Sequence, residues 1–148
     1  MSSYRQIYYH IVFGTKYRQQ TITESYCNIL YGYIAGIIKN KNCKPLQING
    51  GSDHIHIMSD LHPSVPLDKY IKEIKVSSSI WLKTQPAFNN FKGWAEKYAA
   101  FTVSHKDRDG VFEYLKGQKE HHRKVSFIDE FKTLLNQHGI EFDEKYLL

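Results

Sequence analysis

The stretch DHIHIMSDL at residues 53–61 sets two histidines, His54 and His56, on either side of one isoleucine, inside a run that alternates like a strand. Successive strand side chains point to opposite faces, so both imidazoles project from one surface while Ile55 and Ile57 face the other. Two rings that close can share one ion. A second candidate half-site lies far along the chain, in DGVFEYLKGQKEHHRK. At helical spacing Tyr114, Gln118 and His121 fall on one flank, four and three residues apart, beside a buried side of Val111, Phe112 and Leu115.

The chemistry open to such a set is metal-assisted phosphoryl transfer. A hard divalent ion, magnesium or manganese, takes oxygen and some imidazole ligands and keeps positions open for phosphate oxygens. His54, His56 and the Gln118 amide oxygen make such a set, with His121 as the rival to Gln118. A tyrosine hydroxyl, whose ordinary pKa is about 10, becomes a useful nucleophile when a cation lies near it. Tyr114 is therefore the candidate catalytic residue. The sequence offers no cysteine cluster to close a tetrahedral zinc site.

Composition bounds the class. A chain of 148 residues with 41% hydrophobic and 14% aromatic content is long and apolar enough for one globular domain, here taken as residues 1–148. The net charge of +5 favours a polyanionic partner, and eleven tyrosines suit base stacking between basic residues. Cys27 and Cys43 form no C-x-x-C pair, as expected of a reducing cytoplasm. The start, MSSYRQIYYH, has no signal-peptide pattern, and the apolar run 29–38 is too short to span a bilayer. The expectation is a cytoplasmic protein with no membrane partner.

The elements that must position these residues follow from periodicity. Residues 4–13 read as a strand. Thr21 and Glu24 read as a capping box for a helix carrying Ile29, Leu30, Tyr33, Ile34, Ile37 and Ile38 and ending in the polar patch 39–44. Residues 45–49 and 54–61 read as a hairpin turned at Gly50 and Gly51. A second helix is expected over 65–83, with Pro66 in its first turn. Its buried side is Leu67, Tyr70, Ile71, Ile74 and Trp81, and its other side is Lys72, Lys75, Ser79 and Lys83. A fourth strand over 97–103, a helix over 109–124 and a Ser126-capped helix ending at Gly139 complete the chain. The order β-α-β-β-α-β predicts an α+β, ferredoxin-like split βαβ antiparallel sheet with helices on one face, plus two C-terminal helices. The other face is then open to a ligand or partner.

The apolar-flanked H-I-H at 54–56, the Y-x-x-x-Q of Tyr114 and Gln118, the run EHHRKVSFIDEF and HIVFGTKYR at 10–18 together resemble the single-tyrosine HUH transposases. These are small enzymes of insertion sequences that move as single-stranded DNA, with relatives acting on repeated palindromes. The resemblance implies that Tyr114 attacks a DNA phosphate to give a 5′-phosphotyrosine link and a free 3′-hydroxyl. It implies a magnesium ion held by His54, His56 and Gln118. It also implies recognition of single-stranded DNA hairpins by a homodimer whose sites can combine the His pair of one protomer with the tyrosine of the other. One tyrosine holds one covalent strand and transposition needs two cleavages, so the chemistry asks for a dimer as well.

Lys72, Lys75, Ser79 and Lys83, with Lys16, Tyr17 and Arg18 after the first strand, are the candidate DNA contacts; a phosphate track of this kind loses affinity steeply with salt. Two other readings share the same residues. One is a non-catalytic nucleic-acid-binding module of the same sheet architecture, and the other is a nicking enzyme domesticated for a host task.

Overall fold

The computed structural model describes residues 3–147, apart from the side chain of His122. Four strands, β1 (Tyr8–Gly14), β2 (Pro45–Gly50), β3 (His54–Asp60) and β4 (Ala99–Val103), form one antiparallel sheet in the order β2-β3-β1-β4. This is the split βαβ arrangement expected from the sequence. The helices are α1 (Cys27–Asn40), α2 (Leu67–Leu82), α3 (Arg108–Lys116), α4 (Gln118–His122) and α5 (Phe127–Gln137).

Strand alternation divides the sheet into two apolar faces. Ile11, Phe13, Ile55 and Ile57 pack with Leu30, Ile34 and Ile38 of α1 and with Tyr70, Ile71 and Ile74 of α2. Val12, Ala99 and Phe101 point the other way and pack with Phe127, Phe131, Leu134 and Leu135 of α5. Met58 and Val103 meet Leu115 of α3 on that same second face. The face expected to be open is therefore covered by the C-terminal helices of the same chain. His54 and His56 lie beneath them, fully buried.

Several boundaries differ from the sequence expectations for identifiable reasons. The first strand starts at Tyr8 rather than residue 4. The Thr21–Glu24 capping box does not form. The Thr21 and Ile22 N–H groups donate to the Ser52 carbonyl, Glu24–Tyr26 is a short 3-10 turn, and α1 begins at Cys27 without a side-chain cap. Pro66 is the residue before α2 rather than a member of its first turn, and Ser78 and Leu82 join the buried side while Trp81 is half-buried. β2 runs through Gly50, whose close approach to β3 leaves no room for a side chain: a Cβ there would lie 2.3 Å from the His54 carbonyl oxygen. The long helix expected over 109–124 breaks at Gly117 into α3 and α4. Among the described residues no helix is long and apolar enough to cross a membrane.

Candidate active site and its family

Antiparallel pairing sets His56 of β3 opposite both Val12 of β1 and Asn49 of β2, in the middle of the sheet. The two imidazole centroids are 5.1 Å apart, with the rings nearly perpendicular. Each ring is held at its far nitrogen. His54 Nδ1 lies 2.9 Å from the Asp53 carboxylate, and His56 Nδ1 lies 2.8 Å from Nε2 of buried His10. The His54 ring also stacks on Phe127 at 4.2 Å. Partners at Nδ1 leave both Nε2 atoms aimed at one point, the arrangement that fixes histidine ligands in metal sites.

At that point sits Glu130, which α5 carries into the interior. Its Oε1 is 2.9 Å from His56 Nε2 and 3.5 Å from His54 Nε2. Its Oε2 accepts hydrogen bonds from the Tyr114 hydroxyl and, at 2.9 Å, from the Gln118 amide, and lies 3.1 Å from His121 Nε2. The Gln118 amide oxygen is 3.4 Å from His54 Nε2. Tyr114, Gln118, His121, His54 and His56, chosen from two distant stretches of sequence, thus meet around one carboxylate.

Electrostatics follow from this packing. Burial alone would raise the Glu130 carboxyl, but hydrogen bonds from His56, Tyr114 and Gln118 outweigh it and hold the group well below the usual carboxylate range. Burial lowers His56 despite the neighbouring carboxylate, so a neutral imidazole faces an ionised Glu130. His10 is lowered by burial and then by His56. Burial and the hydrogen bond to an ionised carboxylate push the Tyr114 hydroxyl up, so it stays protonated in this arrangement.

The donor set fits a divalent cation. One ligand atom each from His54, His56 and Glu130 lie within 4.8 Å of one another, and the Gln118 amide oxygen borders the same space. Two imidazole nitrogens with hard oxygens suit magnesium or manganese better than a thiophilic ion.

The tyrosine helix is anchored by the edge of β2. Asn49 Nδ2 donates to the Leu115 and Lys116 carbonyls at 2.9 and 3.2 Å, satisfying the last turn of α3. On the other side of the break, Lys119 donates to the Gly50 carbonyl at 2.8 Å and to the Tyr31 hydroxyl at 3.0 Å. These bonds fix both Tyr114 and Gln118 over the His pair. Asn49→Ala is expected to lower stability by about 1–2 kcal/mol in urea denaturation, and Asn49→Asp, which has no N–H to give, should not restore it.

A family model for IS200-like transposases matches residues 3–118. The chain belongs to the IS200-like transposase family. Transposases of the insertion element IS200 from Salmonella typhimurium and Salmonella typhi are each 27% identical over 117 residues, covering 76% of both chains. The ISDra2 transposase TnpA of Deinococcus radiodurans is 21% identical over 122 residues, covering 78% of this chain and 86% of its own. In fold, the chain is similar to a REP-associated tyrosine transposase solved with a REP hairpin, with a TM-score of 0.59, 18% identity and coverage of 84% and 76%. A Deinococcus radiodurans crystal structure described as a transposase gives 0.58, 22% identity and coverage of 80% and 95%.

The span matched to the IS200-like family ends at Gln118, so Glu130 lies beyond it. Sequence reasoning missed Glu130, and the available signal was its position. It falls three residues after Phe127 and four before Leu134, on the apolar stripe of its helix, where a carboxylate needs partners. His10 is buried and supports His56. Lys16, Tyr17, Arg18, Lys72, Lys75, Ser79 and Lys83 all line one cleft of about 1040 Å³ beside α2. Lys75 is partly committed there, its ammonium donating to the Ala95 and Glu96 carbonyls at 2.6 and 3.1 Å.

Proposed function

We propose that this transposase cleaves and rejoins single-stranded DNA at hairpin-flanked sites through a 5′-phosphotyrosine intermediate, with residues 1–148 acting as one unit. The observation that carries the reading is the meeting of the Tyr114 hydroxyl with the carboxylate on which His54, His56 and Gln118 also converge. Magnesium or manganese held by His54, His56, Glu130 and the Gln118 amide oxygen would neutralise charge on the phosphate oxygens and favour the phenolate.

The chain's own groups do the rest. Glu130 takes the phenol hydrogen in its hydrogen bond and so turns a lone pair of the Tyr114 oxygen outward. As that oxygen forms the new bond to phosphorus and the bond to O3′ breaks, the phenol proton passes to Glu130 Oε2 and the departing oxygen takes a proton from solvent, leaving a 3′-hydroxyl. Reversal of the same steps rejoins strands. Asp53 and His10 keep the two imidazoles from rotating away from the ion.

The basic cleft beside α2 suits the phosphates of a hairpin stem, and a protein of the same fold was solved with a hairpin bound. One tyrosine carries one strand, so two copies act together in transposition. Tyr114 over its own His pair supports a homodimer in which each protomer completes its own site.

Labelled single-stranded hairpin DNA from the flanks of the gene, incubated with the protein and magnesium and then denatured, tests the reading. A covalent adduct is expected that does not form when a chelator is present and that Tyr114→Phe abolishes. Tight binding with no adduct on any hairpin, with or without metal, would make the chain a binding module.

A further inference from the structure

The turn that follows β1 holds an unusual backbone. Tyr17 and Arg18 have φ values of 58° and 56°, two consecutive left-handed residues that are not glycine. Side chains rarely accept that region, and such backbone persists only where its surroundings over-determine it. They do so here. The Thr15 N–H donates to the Asp53 carbonyl at 2.8 Å and its hydroxyl to the Gln19 carbonyl at 2.7 Å. The Lys16 N–H donates to the Gly93 carbonyl at 2.8 Å and the Arg18 N–H to the Thr15 carbonyl at 3.0 Å.

This pinned turn presents an aromatic ring to solvent. Tyr17 is 79% exposed at the mouth of the basic cleft, with the Lys16 ammonium 5.6 Å from its ring centroid. An apolar ring has no packing reason to be held outward by strained backbone. The turn also adjoins the active site. Thr15 bonds to Asp53, whose carboxylate holds His54, and Tyr17 lies only two residues further, about 7 Å of chain at most. The corner therefore links the cleft that Tyr17 lines to Asp53, the neighbour of His54.

Resting on the single-stranded DNA reading above, we propose that Tyr17 is a stacking platform for an unpaired base at the junction between the hairpin stem and the strand to be cut. A flat, exposed ring between Lys16 and Arg18 offers a π-face to the base and cations to the phosphates on either side, the combination that single-strand binding uses. The left-handed backbone fixes the ring before DNA arrives, so little freedom is lost on binding. The platform sets the distance from stem to scissile phosphate.

The test uses the full chain carrying Tyr114→Phe, so that no strand is cut, and hairpin oligonucleotides with 2-aminopurine at each unpaired position next to the stem. Quenching is expected at one or two positions, with Tyr17→Phe and Tyr17→Trp preserving it. Tyr17→Ala should abolish it and weaken binding about tenfold to a hundredfold. Tyr17→Gly, which suits the left-handed backbone, should behave like Tyr17→Ala without disturbing the fold. Quenching and affinity unchanged in both ringless variants would overturn the proposal. Failure of the Tyr17 chain to bind any hairpin at all would overturn the DNA reading and the platform with it. That result is told apart by a flat anisotropy titration.

Discussion

Glu130→Gln should weaken manganese binding at least tenfold or so in calorimetric or electron paramagnetic titration, although the family-matched residues 3–118 do not include this position. The reason is geometric. Among the described residues Glu130 Oε1 is the one anionic oxygen facing both His54 and His56, at 3.5 and 2.9 Å, and its replacement by an amide leaves a neutral ligand set. Gln118→Leu should cost less, because the Gln118 amide borders the site through His54 and otherwise serves to hold Glu130. Equal manganese affinity in Glu130→Gln and the unaltered chain would restrict the ligands to the His pair and Gln118.

The same substitution should reshape the acid stability of the metal-free protein. Glu130 is held below its ordinary 4.5 in the fold, so its contribution is complete above that value and is lost as pH falls below it. His56, held below its ordinary 6.5 by burial, adds a loss of the same sign: below that value the unfolded chain takes up the proton more readily. Unfolding followed from pH 7 to 3 should show stability falling in two stages, with the lower one flattened in Glu130→Gln.

His56→Ala is expected to destabilise the metal-free protein by about 3 kcal/mol or more. Its imidazole is the hinge of a buried chain from His10 through His56 to Glu130, and its removal leaves an ionised carboxylate and a second imidazole without that partner. Combined with Glu130→Gln, the loss should be less than the sum of the two single effects, since the charge that lacked a partner is gone. Additivity in urea denaturation would mean that His56 and Glu130 do not interact as their geometry implies.

The fold was legible because its cues are local and periodic. The alternation at His54 to Ile57 put the imidazoles on one face, and the apolar spacing of α2 put Lys72 and Ser79 on the opposite side from Tyr70 and Ile74. Spacing alone likewise brought Tyr114, Gln118 and His121 to one flank, and their meeting with the His pair followed once α3 and α4 lay on the sheet. What stayed hidden depends on tertiary pairing. The Thr21–Glu24 box failed because Ser52, thirty residues away, takes the Thr21 and Ile22 donors. Glu130 reads in isolation as an acid favourably near a helix start, and only the packing of α5 on the sheet turns it into the centre of the site. Asn49, at the end of an edge strand, gives no sign in sequence that it caps the tyrosine helix.

The most direct measurement is peptide mapping of the covalent protein–DNA product by mass spectrometry. The modified peptide should carry a 5′-phosphorylated nucleotide on Tyr114 and on no other of the eleven tyrosines, and the released strand should end in a 3′-hydroxyl. An adduct on a different residue, or one that survives Tyr114→Phe, would contradict the assignment of the nucleophile and the site built around it.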